Sequence, residues 1–210
     1  MNESIIELIQ GDLDQGSPMI KTQKQEIKLH TVFLDDEIGK PSKYRDLMHN
    51  MFTADEHDQF IFMINSPGGY MSAAMSIIEA IKNSEATVRA VLVGECHSAA
   101  SIIALNCHNI VVTNSAHMMI HTAQFSTGGN THSIQKHADF STKMINHILD
   151  DTYRGFLTEQ ELKDTKTGVE FWFDSKEISR RLTARGKYLE SASLKKTPKK
   201  KQKEEQAVEE

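Results

Sequence analysis

The chain has 210 residues, 39% hydrophobic and 25% charged, with a net charge of −5. That length builds one domain with a sizeable core, and no apolar run is long enough to cross a bilayer. Residues 195–210 hold six lysines and four glutamates, which leaves 18 basic against 25 acidic residues elsewhere, a net −7 that argues against general nucleic-acid binding.

The N-terminal MNESIIELIQGDLDQ has acidic residues and no basic region, so it does not read as a secretory signal. Two cysteines, Cys96 and Cys107, form at most one bridge; reduced thiols in a cytoplasm are the expectation. Residues 1–26 are polar and contain Gly11, Gly16, Ser17 and Pro18, so a loosely ordered arm is expected there. The domain proper is then 27–190. Residues 191–210, with KKTPKKKQKEEQ, read as a solvated tail without fixed structure.

Leu29–Leu34 predicts a first strand. Lys43–Phe52 carries Tyr44, Leu47, Met48 and Met51 at helical spacing. Phe60-Ile61-Phe62-Met63-Ile64 reads as a strand buried on both faces. The turn Asn65-Ser66-Pro67-Gly68-Gly69 follows, and then Met71, Ala74, Met75, Ile78 and Ile81 recur at three and four. A second unit of this kind has a strand at Val88–Val93, a glycine turn at Gly94 and a small-residue apolar helix after Ser98. Ile110–Thr113 and His117–His121 predict two further short strands. Residues 132–156 predict one long amphipathic helix, of a length that projects from a domain or spans an interface. Thr158-x-x-Glu161 and Asp174-x-x-Glu177 have the form of capping boxes, each opening a short helix. Alternating strands and helices predict an α/β domain with a largely parallel sheet, whose site lies beyond the carboxyl ends of the strands.

Ser98 then falls at a helix N-terminus. Free N–H groups and the positive end of the helix dipole stabilise an alkoxide or oxyanion there, and the same position suits a serine that merely caps the helix. Glycines 68 and 69 let backbone N–H groups face outward, for an oxyanion or only for a tight turn. His121 ends an apolar strand and can reach the mouth of such a site. No Gly-x-x-x-x-Gly-Lys-Ser/Thr, Gly-x-Gly-x-x-Gly or His-Glu-x-x-His is present, so no nucleotide, cofactor or metal site is expected. Gly-x-Ser-x-Gly is missing too, which disfavours an ordinary α/β-hydrolase.

Ile64-Asn65-Ser66-Pro67-Gly68-Gly69, Gly94-x-x-x-Ser98, Met119-Ile120-His121, a long helix after Gly128-Gly129, and Glu170-Phe171-Trp172-Phe173-Asp174 occur in one order. Over about residues 29 to 185 the chain resembles ClpP, the proteolytic subunit family of the Clp protease. The resemblance implies an α/β fold of the ClpP/crotonase type, with repeated β-β-α units and the long helix as a projecting handle. It implies Ser98 as nucleophile, His121 as general base, and the N–H groups of Gly69 and Ala99 as oxyanion hole. The family's acid is an aspartate before the aromatic strand; Glu170 stands there, with Asp164 as fallback. Gly68, Gln124, Phe125 and Ser126 would contact substrate, with Gln124–Asn130 pairing as a strand with an extended peptide.

Further implications are peptide or unfolded-protein substrates, stacked heptameric rings of one chain, and a separate AAA+ unfoldase. Ala99 stands where the family has methionine, Arg181-Leu182 where it has Gly-Leu, and His97 beside the nucleophile is unusual and is not read as a second base. These departures resemble the divergent, phage-encoded branch. The alternatives are a head-maturation protease of the same fold, a crotonase-like acyl-CoA enzyme, and an inactive ring-forming relative.

Overall fold

The computed structural model describes residues 27–206, with side chains as far as Leu194. The arm expected at residues 1–26 and the last four residues of the tail lie outside the described residues.

Six strands form one sheet: β1 (Leu29–Leu34), β2 (Gln59–Ser66), β3 (Thr87–His97), β4 (Asn109–Val112), β5 (His117–Ile120) and β6 (Phe171–Asp174). The order is β1-β2-β3-β5-β6, with β4 also paired to β3. All pairs are parallel except β5 with β6. The strand–helix alternation predicts this mixed α/β layout, because parallel neighbours need crossovers. The helices are α1 (Arg45–Phe52), preceded by a 3-10 turn at Pro41–Tyr44, α2 (Met71–Asn83), α3 (Ala99–Leu105), α4 (Thr131–Tyr153), α5 (Glu159–Lys166) and α6 (Ser175–Gln206).

The core lies where α2 and α3 pack on the sheet. Every residue of α3 is buried, as an apolar face all round requires. On β2, Phe60, Phe62, Ile64 and Ser66 are buried, while Ile61 and Met63 are only half-buried. The strand therefore has one deep face rather than the two that its unbroken apolar run predicts.

Two further expectations are corrected. The second strand does not stop at a glycine turn: β3 continues through Gly94 to His97. Its first half pairs with β4 and its second with β5, at Glu95↔His117, Cys96↔Met118 and His97↔Met119. A new partner strand extends the ladder where local sequence suggests a stop. Gly94 instead makes room for the Asn65 side chain, whose Oδ1 accepts a 2.9 Å hydrogen bond from the Glu95 N–H at a register shift between β2 and β3. The second correction concerns α6. It is not short: its helical backbone runs from Ser175 to Gln206.

Of the two capping boxes, Thr158 with Glu161 is complete. At Asp174 only half forms: Asp174 Oδ1 accepts from the Glu177 N–H at 2.8 Å, and the Glu177 carboxylate turns to Arg180 and Arg181 instead. The long α4 is exposed over most of its length and anchored at its end by buried Leu149, Thr152 and Tyr153.

Candidate active site

Three adjacent parallel strands, β2, β3 and β5, end side by side, and the residues that follow each end meet. Gly68 and Gly69 follow β2, Ser98 follows β3 and His121 follows β5. The Ser98 N–H donates to the Met119 carbonyl at 2.9 Å, which locks the turn to the end of β5.

Ser98 is the N-cap of α3, yet its side chain makes no capping hydrogen bond. Its Oγ lies 2.8 Å from His121 Nε2. Ser98 alone among the described non-glycine residues has a positive φ, +52°. Such a conformation costs on the order of 1–3 kcal/mol and is held only by its surroundings. Here those are the Met119 carbonyl on one side and, on the other, the Ser101 N–H and Oγ–H, which donate to the Ser98 carbonyl at 3.0 and 2.7 Å.

The Ser-Pro-Gly-Gly turn is equally fixed. Buried Ser66 donates its hydroxyl to the Asp36 carbonyl at 2.7 Å and accepts from the Gly68 N–H at 3.1 Å. Ile38 bridges the turn from outside: its N–H donates to the Gly68 carbonyl at 2.7 Å, and its carbonyl accepts from the Tyr70 N–H at 2.8 Å. A parallel bridge of this kind leaves the Gly69 N–H facing away from Ile38. Among the described residues neither that N–H nor the Ala99 N–H has a partner. A Cβ on Gly68 would come 3.0 Å from the Ala99 nitrogen, so the two turns are in contact.

These groups line a cleft of about 720 Å³, with Pro67, Gly68, Gly69, Tyr70, Ser98, Met119, His121, Ala123 and Gln124 in its wall. Phe125 and Ser126 are exposed and do not line it; Phe125 makes an edge contact with His137, ring centroids 5.7 Å apart. Residues 121–128 pair with no strand among the described residues. The strand expected at Gln124–Asn130 is therefore not formed in the single chain, because a strand needs a partner.

The two candidate acids are placed differently. Ile120 and Phe171 form the last pair of the β5–β6 ladder, and His121 and Glu170 are the residues next to that pair on the two chain segments. Glu170 is exposed, and among the described residues its carboxylate has no ion pair or hydrogen bond. Asp164 lies on α5 and accepts from Gln160 Nε2 at 2.8 Å.

Several long-range partners, some of them away from the cleft, were not visible in the sequence. Arg181, which stands where a glycine is usual in the resembling family, is 7% exposed. It donates to both Glu161 carboxylate oxygens at 2.8 and 2.7 Å, to Glu177 at 2.7 Å and to the Phe156 carbonyl at 3.0 Å, and lies over the Phe173 ring. Its guanidinium holds Glu161 down to about 2. Only its i,i+4 spacing to Glu177 is a local signal. His97 is buried beside Ser98, edge-on to His117 and Trp172, with Nε2 unpartnered among the described residues. Burial lowers its pKa, which favours the neutral ring. Cys96 and Cys107 are free and buried. No three His, Cys, Asp or Glu side chains among the described residues are grouped to hold a metal ion. No described helix is long and apolar enough to cross a membrane.

An α/β domain with a serine and a histidine in hydrogen-bonding contact at a helix N-terminus, beside two free backbone N–H groups, has the equipment for acyl transfer. A family model described as Clp protease matches residues 14–179. The chain belongs to the Clp protease family, has the ClpP fold, and is a peptidase by that membership. No curated protein matches it.

Proposed function

We propose that this chain is a serine endopeptidase that works through an acyl-enzyme. The observation that carries the reading is the 2.8 Å contact between Ser98 Oγ and His121 Nε2. Ser98 attacks the carbonyl carbon of a peptide bond while His121 takes the hydroxyl proton. The oxyanion is received by the Gly69 and Ala99 N–H groups. When the C–N bond breaks, His121 passes its proton to the leaving amine. A water deprotonated by His121 then attacks the ester and frees Ser98. One lost oxyanion donor of this kind costs about 100- to 1,000-fold in rate.

Glu170 is the acid that orients His121, supported by its place next to Phe171, which pairs with Ile120 at the end of the β5–β6 ladder. Substrate enters as an extended strand along Gln124–Asn130 and supplies the pairing that the segment lacks. Gly68 and Gln124 line the cleft it enters; Phe125 and Ser126 follow along the same edge. The chain works as a ring of identical subunits, with α4 as handle. Exposed Ile134, Phe140 and Met144 on that helix support this, since they are apolar and unburied in the single chain. Unfolded substrate is delivered by a separate ATP-driven partner. The pairing of Ser98 with His121 favours this chemistry over enolate stabilisation, which needs the N–H groups but no serine nucleophile.

A fluorophosphonate probe tests the reading. Folded full-length protein is labelled at Ser98, and Ser98→Ala abolishes the label. A folded wild-type chain that takes no label overturns the peptidase reading. Sedimentation tests the ring separately, and monomers under all conditions would sink it.

A further inference from the structure

We propose that Tyr153, acting through Ser101, is a positioning residue for the oxyanion-binding N–H of Ala99. The inference rests on the serine-peptidase reading above and names a part of that site on an element outside it.

Tyr153 is the last residue of α4 and is fully buried. Its hydroxyl lies 2.7 Å from Ser101 Oγ, on the first turn of α3. Ser101 is fully buried as well. A serine hydroxyl has one hydrogen. Ser101 spends it on the Ser98 carbonyl, at 2.7 Å, and a carbonyl can only accept. The Tyr153 O–H must therefore be the donor to Ser101 Oγ. The chain of donation runs from Tyr153 to Ser101 to the Ser98 carbonyl without a break. Burial raises the Tyr153 pKa, so its proton stays in place.

The end point of this chain gives it meaning. The carbonyl of Ser98 and the N–H of Ala99 belong to one peptide group, which is planar. Anchoring the oxygen at one end orients the N–H at the other. This peptide also follows a strained residue, because Ser98 sits at φ +52° and ψ −122° and is held there only by its contacts. The backbone donors Ser101 N–H and Ile102 N–H reach the same oxygen at 3.0 and 3.3 Å, so the 2.7 Å hydroxyl bond is the shortest of the three. Receiving a hydrogen bond from Tyr153 makes the Ser101 hydroxyl a better donor, since hydrogen bonds in series polarise one another. A donor aimed before reaction costs no reorganisation when charge develops, so the effect falls on the transition state.

The test uses full-length assembled protein, a fluorogenic peptide amide and a peptide boronate, which forms a tetrahedral adduct on the nucleophile. Tyr153→Phe keeps the ring and removes the donor. It lowers kcat by about 10-fold, leaves KM within about 2-fold, and weakens boronate binding by the same factor as kcat. Ser101→Ala does the same. The double variant is no worse than Ser101→Ala alone, because both lie on one chain. A lowered melting temperature with kcat and boronate affinity intact assigns Tyr153 to packing only and overturns the proposal. Losses that multiply in the double variant overturn it too. A wild-type chain that takes no fluorophosphonate defeats the peptidase reading, and this inference with it; labelled wild type with unimpaired Tyr153→Phe defeats the inference alone.

Discussion

Gly68 lies so close to Ser98 that a Cβ added to it would come 2.8 Å from the Ser98 Cβ and 2.7 Å from the His97 carbonyl oxygen. Both neighbours are fixed, Ser98 by its hydrogen bonds to Met119 and Ser101 and His97 by the β3–β5 ladder. Gly68 also has φ +94°, where a side chain is strained whatever the space. Gly68→Ala should therefore destabilise the fold by about 2 kcal/mol. It should also lower peptide hydrolysis by at least about 100-fold, because it pushes the turn away from Ala99. Denaturant melts and a peptide assay check the two parts separately.

Strain at Ser98 gives a second expectation. Ser98→Ala and Ser98→Gly both remove the nucleophile and the contact with His121. Only glycine is at ease at φ +52°. Ser98→Gly should thus be more stable than Ser98→Ala by about 1 kcal/mol in urea melts. Equal stabilities would show that the turn carries no strain.

Glu170 and His121 flank the last β5–β6 pair, Ile120 with Phe171, while Asp164 is bonded to Gln160. If Glu170 is the acid of the proposed mechanism, Glu170→Gln should lower kcat by about 10-fold or more, since a histidine deprived of its carboxylate loses orientation and charge support. Asp164→Asn should leave kcat within about 2-fold. Near wild-type turnover in Glu170→Gln removes it from the mechanism.

Arg181 predicts an acid transition. It holds Glu161 at about 2, against an ordinary value of 4.5, and with Arg180 also beside it Glu177 sits at about 2. Carboxylates depressed on folding stabilise the protein above their ordinary pKa, and that stability is lost as pH falls through the folded value. The loss should run from about pH 4.5 down to about pH 2. Arg181→Met should flatten this dependence and destabilise the fold at pH 7 by about 3 kcal/mol, because Glu161 is left half-buried without its partner. Thermal melts of both proteins across that pH range measure it.

Burial lifts both thiols, Cys107 to about 12. Neither Cys96 nor Cys107 should react with a disulfide reagent at pH 8 in the folded state, and both should react after denaturation. Fast reaction of the native protein would mean that α3 opens.

Much of the fold was legible along the chain. Leu29–Leu34 follows from strand propensity and the helix from Met71 from periodicity, and Thr158 with Glu161 announces the start of α5. The Gly68-Gly69 turn and His121 were legible for the same reason, since each follows a strand whose pattern is local. Partners distant in sequence were not. Nothing in the sequence pairs Tyr153 with Ser101 across 52 positions, or Arg181 with Glu161 across 20. The end of β3 was missed because its continuation depends on β5 and not on its own residues.

The sequence by itself determined that a serine would stand at the mouth of an α/β sheet, because strand, turn and helix propensities act over a few residues at a time. It left open whether that serine caps a helix or carries a free hydroxyl. Only the tertiary structure decided this. Parallel register sets the ends of β3 and β5 side by side, and the +52° turn points the Ser98 hydroxyl at His121 and away from the helix. Hydrogen bonds to the two ends of that turn hold it in a conformation that no local preference would choose.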